Sequence, residues 1–143
     1  MTSFRKAALI WTGVSLLATA VALYVVHWRS GVPERRAEVF IEQMIIAPDD
    51  TEGLGALADL APGARPDALV DGVAARTALA YLRTRARLGA RVRINAKDGQ
   101  MLDDHRQVTV TAREGLAGVE ALRFQVTLVQ REDEWRVARV SAE

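Results

Sequence analysis

RVRINAK at residues 91–97, QVTVTAR at residues 107–113 and LRFQVTL at residues 122–128 are the segments that decide the fold of this chain. In each segment apolar and polar residues alternate, and a period of two residues is that of a β-strand with one buried face. The sequence therefore predicts three half-buried strands in its C-terminal half.

A fourth segment, WRVARV at residues 135–140, closes the chain with the same alternation. The apolar positions slip between Val137 and Val140, which predicts a β-bulge or fraying there. Because short connections join the four segments, we expect a four-stranded antiparallel meander that is apolar on one face only.

Three amphipathic helices are predicted before the strands. The first covers residues 34–46 and ends at Ala47-Pro48. The second is short, with Asp49 or Asp50 as its N-cap. The third runs from about Pro66 to Leu88, and Gly72 is a point where it bends or splits. The apolar side of this third helix is expected to consist of Leu69, Val70, Val73, Ala74, Ala80, Tyr81 and Leu82.

Helices that precede the strands, rather than alternating with them, indicate an α+β domain. We place it at residues 34–143, after a tail at 1–6 and a linker at 29–33. A domain of this length buries enough surface to fold on its own.

Residues 7–28, between the tail and the linker, contain no Asp, Glu, Lys or Arg. As a helix this stretch would be ~33 Å long, enough to cross a hydrocarbon core of ~30 Å. The sequence therefore predicts a single-pass signal anchor. The residues expected at the membrane interface are Tyr24, His27, Trp28 and Arg29.

A cleaved signal peptide is the alternative for the same stretch, with its cleavage site in the small residues 18–22. The apolar run continues to Val26, beyond the length of an ordinary signal sequence, and this favours the anchor. Since a cationic tail with Arg5 and Lys6 is costly to translocate, we expect the C-terminal domain to be periplasmic and the protein to lie in a bacterial inner membrane.

Composition excludes some classes of function. The chain has no cysteine and hence no thiolate nucleophile or cysteine-built metal site. Its net charge is +1, and residues 31–143 hold 16 basic and 18 acidic residues, a balance of −2. This balance argues against a general nucleic-acid-binding protein.

The order of elements, helices first and then a meander that ends in EWRVARV at residues 134–140, resembles the NTF2-like (cystatin-like) superfamily. Membrane-anchored members of that group, such as VirB8-type secretion components and Mce-associated proteins, follow the same plan. The resemblance implies a curved sheet with the helices packed across it, forming a cone. It does not transmit a function, because one fold serves many activities.

No catalytic or metal-binding group is predicted inside the cone. The expected inward strand positions are all apolar: Val92, Ile94, Val108, Val110, Leu122, Phe124, Val126, Leu128, Trp135 and Val137. The two histidines, His27 and His105, do not have the spacing of a metal site, and Asp103-Asp104-His105 is expected to be a solvated acidic turn. The sequence thus predicts no enzyme, no cofactor and no metal.

Charge is distributed unevenly along the chain. Residues 49–71 hold six acidic side chains and one basic side chain, whereas residues 72–97 hold seven basic and no acidic ones. We expect one basic face that binds anionic lipid headgroups or an acidic partner. Its candidate residues are Arg83, Arg85, Arg87, Arg91, Arg93 and Lys97.

Two functions remain open on these grounds. The leading hypothesis is a non-catalytic accessory or assembly subunit of a membrane complex, which contacts membrane lipid and other subunits and leaves homo-oligomerisation open. The alternative is a binding module that holds a lipid or another apolar molecule as part of a transport system. An apolar pocket between sheet and helices would favour the carrier, and a cone filled by Phe40, Phe124 and Trp135 would favour the subunit.

Overall fold

The computed structural model describes residues 13–21, 32–97, 100–102, 104–115 and 120–143. By its internal contacts the chain divides into two compact units, residues 1–31 and residues 32–143.

The first unit contains one described helix, α1, at residues 13–21. Its larger apolar side chains are more than half exposed: Val14, Leu16, Leu17 and Val21. Among the described residues, none of the helices has the length and apolar character needed to cross a bilayer. The rest of the predicted span, with Tyr24, His27, Trp28 and Arg29 at its end, lies outside the described residues.

The second unit begins with helices and continues with strands, as expected of an α+β domain. Its elements are α2 (Pro33–Ile46), α3 (Thr51–Leu57), a 3-10 turn (Pro66–Leu69), β1 (Val70–Asp71), α4 (Val73–Arg87), β2 (Val92–Ala96), β3 (Gln100–Leu102), β4 (His105–Glu114), β5 (Leu122–Arg131) and β6 (Glu134–Ala142). The side chain of Asp50 caps α3 by accepting a hydrogen bond from the Gly53 amide at 3.1 Å.

The described residues form a sheet of six strands, so the predicted number of four is wrong. Its order is β1-β6-β5-β4-β2, and β3 pairs with β4 beyond the end of β2. The two missed strands contain two and three residues, too few to show an alternation in the sequence. β1 also pairs with β6 in parallel, so the sheet is a meander with one parallel edge strand.

Gly72 divides the predicted third helix. Its backbone has φ +90° and ψ 153°, a conformation that only glycine adopts readily. The residues before it form the 3-10 turn and β1, and α4 starts directly after it.

The apolar face predicted for the third helix is wrong in part. Val73 and Tyr81 are 77% and 47% exposed, whereas Ala75, Leu79 and Leu82 are buried. These three residues are spaced at i, i+4 and i+7, which places them on one face of the helix.

The core lies between the helices and the apolar face of the sheet. Phe40 and Met44 of α2 and Phe124 of β5 are fully buried there, and Trp135 is half-buried against them. Helix α2 packs across four strands, from β2 to β6, and α4 packs beside it.

The end of the sheet agrees with the sequence. Thr127 pairs with Arg139 and Leu128 pairs with Val137, so Ala138 is the extra residue of a β-bulge. The slip predicted between Val137 and Val140 is therefore confirmed.

A pair of glycine substitutions tests the role of Gly72. A Cβ atom added at Gly72 or at Gly55 meets nothing within 4 Å, so neither substitution causes a clash, and only Gly72 has a positive φ. We expect Gly72→Ala to destabilise the domain by about 1–3 kcal/mol because of its positive φ. Gly55→Ala, inside α3, should stabilise it by about 0.5–1 kcal/mol. Urea unfolding measures both, and equal free energies of unfolding for the two variants would contradict the account.

Candidate functional site

The turn between α4 and β2 builds the candidate site. The Gly89 amide donates to the carbonyl of Ala86 at 3.0 Å, and the Ala90 amide donates to that of Arg85 at 3.0 Å. Gly89 has φ +90°, so the helix ends in a Schellman motif with glycine at the left-handed position. The motif turns the chain sharply from α4 into β2.

A buried carboxylate lies beside this turn, on the inner face of the sheet. Glu114 is the last residue of β4, pairs in register with Val92 and is only 4% exposed. The prediction that all inward strand positions are apolar is therefore wrong. The strand segment predicted from the sequence ends at Arg113, so Glu114 is expected to lie in the loop that follows. Continuing the alternation of Val108, Val110 and Ala112 by one step identifies Glu114 as inward-facing.

Arg85 of α4 neutralises this carboxylate. Its Nε donates to Oε1 of Glu114 at 2.8 Å, and its second guanidinium nitrogen donates to Oε2 at 3.3 Å. The hydrogen bond and the negative charge of Glu114 raise the pKa of Arg85 above its ordinary value. Because both carboxylate oxygens accept from the same guanidinium, Arg85 and Glu114 form a bidentate, charge-assisted pair.

Two clefts lie next to the turn. The first, of about 530 Å³, opens above the ion pair and is lined by Arg85, Leu88, Gly89, Arg91, Arg93 and Glu114. The second, of about 510 Å³, follows β2 and is called here the β2-edge groove. Its apolar lining comes from Ile45, Ile46, Ala86, Val92 and Ile94, and Arg87, Arg91 and Arg93 also line it.

The six basic residues predicted as one face have different environments. Arg83 donates through Nε to the carbonyl of Met44 at 2.7 Å and lies 3.4 Å from Asp67. Arg85 binds Glu114, so both side chains have partners within the fold. The other four residues are exposed around the turn and along β2: Arg87, Arg91, Arg93 and Lys97.

Arg113, which the prediction did not include, joins the exposed group. Arg93 of β2 and Arg113 of β4 are cross-strand partners, so their side chains lie on the same outer face. Arg91 lies two residues before Arg93 and therefore projects to that face as well. We call Arg91, Arg93 and Arg113 the outer arginine cluster.

Within the described part of the chain none of the three has an ion-pair partner. The parity of residues 107–113 could have identified Arg113, since it is outward-facing like Thr109 and Thr111.

The histidine predicted in a loop begins β4. Nδ1 of His105 lies 3.3 Å from the carboxylate of Asp104, and this hydrogen bond lowers the pKa of Asp104. Asp103 and His27 lie outside the described residues. In the described ranges no group of three or more His, Asp or Glu side chains is placed to hold a metal ion.

Helices packed on the concave face of a curved sheet, with the strand order given above, define an NTF2-like fold. A solved structure named "Rd1NTF2_04 with long sheet" matches it with a TM-score of 0.52 over 78% of this chain and 100% of that one. The two sequences are 16% identical, so the match shows the fold alone. Neither a protein-family model nor a curated protein matches the sequence.

Glu114 of this ion pair is buried and Arg85 is partly exposed, and removing one partner should be more harmful than removing both. We expect Arg85→Met to lower the thermal unfolding midpoint, because it leaves the carboxylate of Glu114 buried without a counter-charge. The double variant Arg85→Met/Glu114→Leu should recover most of the loss, since two apolar side chains replace two charges. Arg87→Met, two residues away on the exposed side of α4, is the matched control and should change little. A double variant less stable than Arg85→Met would contradict this role of the pair.

Proposed function

We propose that this protein is a non-catalytic accessory or assembly subunit of a bacterial membrane protein complex. Its NTF2-like domain binds an acidic surface of a partner subunit through the outer arginine cluster. VirB8-type and Mce-associated proteins, which the order of elements resembles, are the kind of membrane-anchored component that this proposal has in view.

The cross-strand pair of Arg93 and Arg113 supports the binding role most strongly. Like charges directly opposite each other on neighbouring strands destabilise a sheet. Arg91 adds a third positive charge on the same face, and the described residues supply no carboxylate in an ion pair with any of them. An acidic partner would relieve this repulsion, and exposed charges of one sign also accelerate association with it.

The packed interior supports a role without catalysis. Phe40, Met44 and Phe124 are fully buried between helices and sheet, and neither of the two clefts at the turn is lined by them. The buried carboxylate of Glu114 already accepts two hydrogen bonds from Arg85.

One observation favours the carrier function as a second candidate. The β2-edge groove has an apolar lining and a volume of about 510 Å³, which is within the range of small-molecule sites. Titration with a fluorescent fatty acid distinguishes the candidates, because a carrier should bind it saturably and a subunit should not.

The membrane attachment in this proposal rests on residues 7–28, which contain no charged residue except His27 when protonated, and on the exposed apolar side chains of α1. Each arginine at the centre of a spanning helix costs about 2.5–3.5 kcal/mol. We therefore expect Leu16→Arg/Leu17→Arg to move the protein from the carbonate-washed membrane pellet to the supernatant. Val73→Arg, at a position 77% exposed in the second unit, adds a charge there and should leave the protein in the pellet. Equal partitioning of all three proteins would contradict the anchor.

The partner-binding role is tested by charge reversal. We expect Arg91→Glu/Arg93→Glu to lose the partners that co-purify with the full-length chain from detergent-solubilised membranes, because the cluster changes sign. Arg65→Glu/Arg76→Glu changes the net charge by the same amount at exposed positions near the start of α4 and should keep them. Mass spectrometry of the purified complexes gives the comparison. Unchanged partners after Arg91→Glu/Arg93→Glu, with an unaltered circular dichroism spectrum, would refute the proposed role.

A further inference from the structure

The strand β2 forms one edge of the sheet and presents unused backbone groups there. The Gly115 amide donates to the carbonyl of Arg91, and the Lys97 amide donates to that of Thr109, both at 2.9 Å. Residues 91, 93, 95 and 97 therefore direct their backbone groups toward β4. The N–H and C=O groups of Val92, Ile94 and Ala96 point the other way, and no described strand pairs with them.

The groove beside this edge is apolar. Val92 and Ile94 are half-buried on the inner face, and they meet Ile45 and Ile46 of α2 along the β2-edge groove. Ile46 is 65% exposed, and Leu88 at the adjoining turn is 73% exposed. A strand added to β2 would place every second side chain over this apolar surface, because side chains alternate between the two faces of a sheet.

The outer face of the same edge is positively charged. The side chains on this face are those of Arg91, Arg93, Asn95 and Lys97, in this order along the strand. All four are exposed. The remaining side chains of an added strand would lie directly opposite these cations, where opposite charges stabilise the pairing.

We infer that β2 accepts an extended segment of a partner protein in which apolar and acidic residues alternate, and that this segment becomes an additional strand of the sheet. The inference rests on the proposed function and specifies the chemistry of the partner. Backbone hydrogen bonds supply affinity for any extended segment. The groove selects apolar side chains on the inner face, and the cations select acidic side chains on the outer face.

Charge disfavours two other occupants of the edge. A second copy paired antiparallel about Ile94 would set Arg91 opposite Lys97 and so bring like charges together. Residues 1–31 of the chain contain no Asp or Glu, so they cannot supply the acidic face. Charged side chains also protect edge strands against unspecific pairing. Protection alone does not require the exposed apolar groove that accompanies the charges here.

Binding is measured with synthetic peptides and the full-length chain in detergent. The peptide VEIEVEI has the inferred pattern, VKIKVKI reverses its charge, and EEEVIVI has its composition without the alternation. By fluorescence anisotropy we expect VEIEVEI to bind at least about tenfold more tightly than either control, a difference of about 1.4 kcal/mol. Equal affinity for VEIEVEI and EEEVIVI would overturn the inference.

Hydrogen exchange followed by NMR tests whether the peptide binds as a strand added to β2. The amides of Val92, Ile94 and Ala96 should become protected when VEIEVEI binds, whereas those of Arg93 and Asn95 are already bonded to β4 and should change little. Binding without this alternating protection would overturn the inference. Concentration-dependent protection of the three amides without peptide would show that a second copy occupies the edge, which also overturns it.

A proline at the edge separates this inference from the proposed function. Ala96→Pro removes an outward N–H and keeps the bonds toward β4, a position at which an edge strand tolerates proline. We expect Ala96→Pro to weaken VEIEVEI binding at least about fivefold, the effect of one lost hydrogen bond. Ala96→Ser keeps the N–H and should bind the peptide as the unaltered chain does.

If partners bind to Ala96→Pro as to the unaltered chain but are lost with Arg91→Glu/Arg93→Glu, the surface acts by charge alone. The edge-strand inference is then wrong and the proposed function stands. If Ala96→Pro does not fold, the exchange pattern of the unaltered chain decides.

Discussion

The ion pair between Glu114 and Arg85 is the constraint around which the candidate site is arranged. A carboxylate on the apolar face of a sheet is costly to bury unless a counter-charge is bonded to it. Arg85 supplies this charge from the last turns of α4, which places the end of this helix beside the end of β4. Gly89 then turns the chain, and β2 begins at the edge of the sheet.

This arrangement separates two kinds of positive charge within a short segment. Arg83 and Arg85 are partly buried, and a carbonyl oxygen and two carboxylates of the same domain bind them. Arg87, Arg91 and Arg93 follow within eight positions of Arg85 and remain exposed. The inner arginines hold α4 in place, and the outer ones are available to a partner because the structure does not need them for its own neutralisation.

The sequence predicts the long elements of this domain and fails where few residues carry the information. β4 and β5 have ten residues each, and their alternation identifies both strands, while the break in the alternation of β6 identifies its bulge. β1 has two residues and lies in a segment of helical composition, so the sequence indicates a break at Gly72 but not the strand before it. At the site, counting charges along the chain identifies Arg91 and Arg93 but not Arg113, which is distant in sequence and adjacent only through strand pairing. Glu114 is missed because a charged residue at the end of a strand is ordinarily assigned to a loop.

The packing of the interior bears on where a ligand can bind. A molecule held between sheet and helices would have to displace fully buried side chains such as Phe40 and Phe124, whose removal from a core costs about 3–5 kcal/mol each. At the β2 edge no such displacement is needed, since backbone donors and acceptors, an apolar groove and unpaired cations are already presented to solvent. Binding at the edge also leaves the Glu114–Arg85 pair intact. The physical chemistry of this chain therefore favours recognition at the surface of the NTF2-like domain over recognition inside it.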